Sequence, residues 1–260
     1  MLSQYYYEKS ADRKDYVRIY KYDPTKNSKP RDHFHFHNSV ELVFVTRGYC
    51  DIQIGNEKRS FSAGEIGFMN SFEPHKYLPN ENTDYYAVLI GSEFFDGVNN
   101  LKNLSFPTFM PRCDAFDAVS EFIEFSYARW DDTNAVFKYG FANMLLGLLM
   151  QHYPTYKKET NKQSEVMINA LRHINENLTK DISVESVAMK FGYTPNYFST
   201  VFNAFTAMSF REYLNRCRIT EFARLTTEDP KLPACKAAEL CGFKSLNTFY
   251  RAYNKYKEQS

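Results

Sequence analysis

Ala188-Met189-Lys190-Phe191-Gly192-Tyr193 is echoed further along the chain by Ala238-Glu239-Leu240-Cys241-Gly242-Phe243. In each copy an alanine stands four residues before a glycine, and an aromatic follows the glycine. An aromatic pair at helical spacing comes next. It is Phe198 and Phe202 in the first copy, and Phe249 and Tyr253 in the second, where the offset from the glycine is one residue longer. Each feature has a physical role. A small alanine lets two helices approach closely. A glycine ends the first helix by taking a positive φ without a Cβ clash. The aromatic after it can fix the turn on the core. Thr194 is then a good N-cap with Pro195 at the first helical position, and Ser245 is the matching cap in the second copy.

Two helices joined by a short glycine turn form the unit that reads DNA, with the second helix in the major groove. The faces follow from the helical repeat. In the first recognition helix Phe198, Val201, Phe202 and Phe205 point inward, which leaves Asn196, Ser199, Thr200 and Asn203 on the outer stripe. In the second, Phe249, Ala252 and Tyr253 point inward. Asn247, Tyr250, Arg251 and Asn254 point outward, with Leu246 and Thr248 near the helix start. Asn and Arg suit the edges of adenine and guanine, and Leu246 suits a thymine methyl. A solvated helix face would also be polar, but two copies with matching caps and glycines favour the DNA-reading unit. Between them, Phe210–Leu225 reads as a helix of roughly 24 Å. Tyr213, Leu214, Cys217, Phe222 and Leu225 make its buried stripe. Such a strut suits two readers near adjacent major grooves, which recur every ~34 Å on one face. Arg211, Arg216, Arg218 and Arg224 are candidate phosphate contacts, and any one of them could equally be an ordinary surface residue.

Outward from this repeat, a chain of 260 residues is long enough for two domains of ordinary size. An apolar content of 43% excludes disorder of the whole chain. The longest apolar run, Met144–Met150, is far short of the ~20 residues a membrane span needs. Met1–Ser10 lacks the apolar core of a secretory signal. Five cysteines with no C-x-x-C point away from a disulfide framework and towards a cytoplasmic protein. The net charge of +1 conceals an asymmetry: residues 1–153 carry 16 Lys and Arg against 20 Asp and Glu, whereas residues 165–260 carry 13 against 10. The C-terminal part is the better candidate for meeting a polyanion.

Residues 154–164, from Pro154 to Ser164, are polar without a periodic apolar pattern and read as a linker. Before it, residues 33–90 favour short strands: Val40–Thr46, Cys50–Ile54, Glu65–Met69 and Tyr85–Ile90, punctuated by Asn, Gly, Ser and Pro as in a small antiparallel barrel. Two helices follow, over 114–129 with Phe116, Val119, Phe122 and Ile123 on one stripe, and over 135–152 with Phe137, Phe141, Met144, Leu145, Leu148 and Leu149. These stripes either pack on the barrel or form part of a dimer seam.

The C-terminal pattern resembles the twin helix-turn-helix domain of the AraC/XylS family of bacterial transcription regulators. The resemblance runs through Ile182–Phe210, Tyr213-Leu214 to Arg218-Ile219, Ala223, and Ala238-x-x-x-Gly242-Phe243 to Phe249-Tyr250-Arg251. It implies that Asn196, Ser199 and Thr200 read bases in the first unit, with Asn203 on the same stripe, and that Leu246, Asn247, Thr248 and Arg251 do so in the second. The sequence departs from the family at Ala207, where a glycine is usual, at Ala237, where an isoleucine is usual, and after Lys257, where the family's closing Gly-x-x-Pro is missing.

In the N-terminal half, His35-Phe36-His37 is followed by Glu41 after three residues and by Gly48 after six more. This resembles the first cupin motif. His75 stands for a looser second motif, with Asn80 after four residues rather than the usual three. On one strand His35 and His37 share a face, and Glu41 joins them if no bulge intervenes. His33 is expected to be a solvated neighbour. Three imidazoles and a carboxylate make a competent first-row metal site, the set of a metal-dependent cupin enzyme. The regulator resemblance implies instead that the barrel mouth takes a small effector, with or without metal; the third alternative is that the histidines are structural. Aromatics such as Phe34, Phe36 and Tyr77 beside the four suit a polar ligand with apolar faces, such as a sugar.

The expected protein is thus a cytoplasmic, effector-responsive transcription regulator rather than an enzyme. Residues 1–153 form an all-β cupin (double-stranded β-helix) barrel with two added helices, 154–164 a linker, and 165–260 an all-α tandem helix-turn-helix domain of seven helices. No cofactor is expected. The expected partners are a bipartite site in double-stranded DNA, a small-molecule effector at His35, His37, Glu41 and His75, RNA polymerase if the protein activates, and a second copy in a homodimer. The rival readings are a metal-dependent cupin enzyme with a helical appendage, and a module whose helical part binds proteins.

Overall fold

The structure is a computed structural model and describes residues 6–7, 17–26, 34–54, 57–91, 94, 104–157, 162–206 and 208–257. His33, Ala207 and the chain end 258–260 lie outside the described residues. The chain forms two compact units, Met1–Glu159 and Thr160–Ser260.

The first unit contains strands β1 (Tyr6–Tyr7), β2 (Val17–Tyr22), β3 (His35–Phe36), β4 (Ser39–Arg47), β5 (Tyr49–Ile54), β6 (Glu57–Ser62), β7 (Ile66–Met69), β8 (His75–Pro79), β9 (Asp84–Gly91), β10 (Leu104–Ser105), β11 (Phe109–Met110) and β12 (Tyr156–Lys157), with helices α1 (Phe116–Tyr127) and α2 (Ala135–His152). One sheet has the order β1-β3-β8-β5-β6 and a second β11-β7-β4-β9-β2. Only the short pair β1–β3 among the described pairs is parallel. Val43, Val45 and Leu89 of the second sheet share a core with Ile52, Phe61 and Tyr77 of the first. This is the cupin-like two-sheet barrel expected from the sequence.

Strand β4 is buried on both faces. Val40, Leu42 and Phe44 pack with Ile123 of α1 and Phe141, Leu145 and Leu149 of α2. The alternate residues Val43 and Val45 face the inter-sheet core. A strand covered on both sides needs apolar residues at every position, which is why Val40–Val45 is interrupted only by Glu41. Burying each of these side chains contributes about 1.5–3 kcal/mol.

Helix α2 is capped by Asn134, whose side chain accepts the Phe137 N–H at 3.0 Å. Phe141, Leu145 and Leu149 are buried, and Phe137 and Leu148 are partly buried against the same core. Most of the stripe read from the sequence is therefore barrel packing rather than a free seam. Of that set Met144 is exposed, and Val136 and Met150 are exposed on the same helix. The stretch 154–164 is not wholly irregular: Tyr156–Lys157 pair with Leu104–Ser105, and the next helix starts at Lys162.

The second unit is all-α: α3 (Lys162–Glu176), α4 (Val184–Lys190), α5 (Pro195–Thr206), α6 (Phe210–Glu228), α7 (Ala234–Leu240) and α8 (Leu246–Lys257). The described residues thus hold six helices, one fewer than the seven read from the sequence. Helix α6 runs through both halves of this unit. Near its start Phe210 and Tyr213 meet Phe202 of α5, with ring centroids 5.8 and 5.5 Å away. Further along, Phe222 meets Phe249 of α8 at 4.6 Å.

Candidate functional site

The repeated hexapeptide is a helix-ending device. In the first copy the Tyr193 N–H donates to Ala188 O at 2.9 Å and the Gly192 N–H to Met189 O at 3.1 Å. In the second, Phe243 N–H donates to Ala238 O at 3.1 Å and Gly242 N–H to Glu239 O at 2.8 Å. This nested pair is the Schellman motif, with glycine in the left-handed region. Gly192 has φ +77° and Gly242 φ +89°. Ala188 and Ala238 are fully buried, as the close helix crossing requires. Ala237, where the family usually has isoleucine, is also fully buried.

The second helices then start on their caps. Thr194 Oγ1 accepts the Tyr197 N–H at 3.4 Å, and Ser245 Oγ accepts the Thr248 N–H at 3.3 Å. Phe198, Phe202 and Phe249 are buried. On the opposite faces Asn196, Thr200, Asn203, Leu246, Asn247 and Arg251 are exposed, and Ser199 and Thr248 are half-buried. All eight side chains expected to read bases thus lie on the two recognition helices, away from the buried stripes. Asn203 is also engaged locally. With its NH2 oriented to donate, it reaches Ser199 O at 3.2 Å and Met208 O at 2.7 Å. The sequence drew less notice to Tyr197, which is 49% exposed beside Asn196.

The four candidate phosphate arginines differ. Arg211 is exposed. Arg218 instead donates to Leu178 O at 2.7 Å and Lys180 O at 2.9 Å, tying α6 to the loop after α3. Arg224 pairs with Glu221 and Glu228 on its own helix. Arg216 is buried, 3.5 Å from Glu212. Arg218 thus joins two elements, whereas Arg216 and Arg224 pair with glutamates three or four residues away on α6 itself.

In the barrel unit the sequence expectation of one continuous strand is wrong in a useful way. His35 lies on β3 of one sheet and Glu41 on β4 of the other, and the chain crosses between sheets around His37 and Asn38. His75 pairs with His35 across β3 and β8. The four side chains still converge, because the two sheets face each other. Their ligand atoms all lie within 4.8 Å of one another, and none of the four is more than 1% exposed.

Glu41 Oε2 is 2.8 Å from His37 Nε2 and 3.0 Å from His75 Nε2. Each ring's other nitrogen faces a backbone carbonyl: His37 Nδ1 lies 3.0 Å from Ser39 O, and His75 Nδ1 2.7 Å from Glu73 O. Burial pushes the Glu41 carboxyl up, but the hydrogen bonds and charges of His37 and His75 outweigh it and hold the group well below the usual carboxylate range. Glu41 Oε1 is buried without a hydrogen-bond partner. The ring of Tyr77 lies 5.8 Å from that of His35 and 5.6 Å from that of His75. Phe34 and Phe36 are buried nearby in sequence. The backbone here is strained at Phe72, a buried residue with φ +61° whose N–H donates to His37 O at 2.7 Å. Sequence reading named all four polar residues but not Phe72, which nothing in its composition marks.

Two sheets enclosing a polar cluster, and a helical unit with two Schellman-ended helix pairs, are the parts of a DNA-binding protein with a ligand-binding domain. An AraC-like ligand binding domain matches residues 22–110, and a Helix-turn-helix domain matches residues 187–260. The chain belongs to the AraC/XylS family of transcription regulators, which removes the rival reading of a metal-dependent enzyme. It is similar to the HTH-type transcriptional regulator YijO of Escherichia coli (strain K12), 35% identical over 103 residues that make up 39% of this chain and 36% of that protein. The match thus spans about a third of that relative's length. The HTH-type transcriptional activator AarP of Providencia stuartii is 30% identical over 100 residues, 38% of this chain and 73% of that one. Among solved structures, unsaturated fatty acid bound ToxT from Vibrio cholerae shares the fold with a TM-score of 0.53 at 12% identity, over 92% of this chain and 90% of that one. Among the described residues no helix is long and apolar enough to cross a membrane.

Proposed function

We propose that this chain is an effector-controlled transcription regulator that reads a bipartite site in double-stranded DNA. The observation that carries the reading is the duplicated geometry of the helical unit: two capped recognition helices, each behind a Schellman turn, present polar faces on one shared helix. Asn196, Ser199, Thr200 and Asn203 contact one half-site. Leu246, Asn247, Thr248 and Arg251 contact the other, with Arg251 suited to a guanine edge. Arg211 is the arginine of α6 available to a phosphate.

The barrel takes a small-molecule effector at His35, His37, Glu41 and His75. Four buried polar side chains favour a polar ligand such as a sugar over the acyl chain seen in ToxT. Control requires the effector to bind the DNA-competent and incompetent states with different affinity. A homodimer would use the outer face of α2, where Val136, Met144 and Met150 are exposed and Gly140 and Gly147 leave open space for a second helix. Work in the cytoplasm and, by analogy with the activator AarP, contact with RNA polymerase complete the reading.

Selection of binding sites from a random duplex pool tests it. The purified chain should enrich two short half-sites about one helical turn, 10–10.5 bp, apart. A pool that shows no enriched sequence would overturn the proposal.

A further inference from the structure

The turn between β7 and β8, residues 70–73, touches the barrel cluster on one side and the linker's strand partner on the other. On the cluster side, Glu73 O lies 2.7 Å from His75 Nδ1, and a carbonyl can only accept, so Nδ1 is the donor. The Phe72 N–H donates to His37 O at 2.7 Å, and the Ser71 hydroxyl to Asn38 Oδ1 at 3.1 Å. Inside the turn, Glu73 Oε2 accepts the Asn70 N–H at 2.8 Å and the Asn70 side-chain NH2 at 3.2 Å. On the far side, the Ser105 hydroxyl donates to Asn70 Oδ1 at 3.1 Å. Ser105 is 1% exposed and lies on β10, where it pairs with Tyr156 of β12. Four residues of chain separate β12 from α3, the first helix of the DNA-binding unit. Hydrogen bonds thus lead step by step from His75 to the strand through which the chain leaves the barrel unit.

Two features let this path switch. Phe72, at φ +61°, holds a backbone conformation that a residue with a Cβ keeps only while its surroundings enforce it. Its N–H on His37 O is one of those restraints, so a shift of His37 lets the turn relax. The Ser105 hydroxyl has one proton and two acceptors at the same distance, Asn70 Oδ1 and Phe106 O, each at 3.1 Å. It can release the turn and still be paired. The strand pair at the end of the path is two residues long on each side, with Tyr156 and Lys157 exposed, and so is easily biased between paired and open.

We propose that the turn 70–73 and Ser105 transmit occupancy of the barrel cluster to the linker strand β12. An effector that engages His37 or His75 shifts the turn, and the populations of paired and open β10–β12 shift with it. The inference rests on the reading of the cluster as the effector site, and adds the route by which occupancy leaves the barrel.

The test reads amide hydrogen exchange of β12 in the full chain, with substitutions standing in for the shift that an effector causes. Ser105→Ala should speed exchange at Tyr156–Lys157 about fivefold, the factor of one net hydrogen bond. His75→Gln keeps a polar group near Glu41 but loses the donor to Glu73 O, and should do the same. His75→Asn retains an N–H in the Nδ1 position and should change exchange by less than about twofold. In the double variant of Ser105→Ala and His75→Gln the factors should not multiply: about fivefold is expected for one path, against about 25-fold for independent sites. Should either variant fail to fold, native-state exchange of the unsubstituted chain decides, with the amides of Phe72 and β12 expected in one cooperative opening. Unchanged exchange in a folded Ser105→Ala or His75→Gln chain, factors that multiply, or separate openings would overturn the path. Affinity for the selected duplex is measured on the same samples. Coupled exchange in a chain that selects no DNA site counts against the regulator reading alone. Selective DNA binding with factors that multiply counts against the path alone.

Discussion

The two helix-turn-helix units share a sequence pattern and a turn geometry, but their turns sit in different surroundings. A Cβ added at Gly192 would meet nothing within 4 Å. The same atom at Gly242 would lie 2.8 Å from Leu178 O and 2.9 Å from the Cα of Thr179. The loop it would strike is the one that Arg218 holds by two carbonyls. Lys244 adds an ion pair to Asp181 of the same region at 2.6 Å, and Arg218 lies over the ring of Phe243, 5.8 Å from its centroid. The first turn is thus a free corner, and the second is an internal joint against the α3–α4 loop. The same motif serves as a chain reversal in one place and as a packing surface in the other.

The comparison breaks most visibly in the aromatic cores. Phe202→Ala and Phe249→Ala should each cost about 3–5 kcal/mol, read by denaturant unfolding of the full chain. If the halves behave as separate cores on one helix, the two losses should add to within about 0.5 kcal/mol. The glycines sharpen the contrast. Gly192→Ala meets only the left-handed backbone penalty, about 1–2 kcal/mol. Gly242→Ala adds backbone collision and should cost about 3 kcal/mol or more. Equal losses at the two positions would show that the second turn is not a joint. On DNA, Arg251→Ala should lose about 1–3 kcal/mol of affinity for the selected site and relax one base position, as measured by titration against single-base variants. The smallest effects belong to the caps: Thr194→Ala and Ser245→Ala should each cost about 1 kcal/mol in thermal or urea unfolding.

What the sequence disclosed divides along a physical line. The Schellman turns were legible because all their hydrogen bonds close within six residues, so alanine, glycine and aromatic stand at fixed offsets. The inward and outward faces of α5 and α8 were legible for the same reason. The barrel cluster was legible as a list of residues but not as a geometry. Glu41 and His75 are 34 positions apart, and they meet because two sheets face each other, which no local period encodes. The assumption of one strand failed at the crossing near His37, where alternation stops predicting direction. For Arg216, Arg218 and Arg224 the sequence left phosphate contact and ordinary surface placement equally open, because charge in a sequence does not show its partner; in the structure each has a partner within the helical unit. Met144 was the one member of its stripe left exposed, since a helix apolar on most of its surface does not reveal which side the barrel covers.

Helix α6 has a further consequence. It is the common axle of both readers, gripped near its start through Phe210 and Tyr213 and further along through Phe222. Each residue of an α-helix advances 1.5 Å and turns about 100°. The rotational phase between the two reading heads is therefore geared to the number of residues separating Tyr213 from Phe222. One inserted residue would swing the second head about 100° out of step with the groove, whereas seven would return it to nearly the same bearing about 10 Å farther along. If the two heads read the two half-sites proposed above, the spacing of those half-sites is counted out in a single helix of the protein.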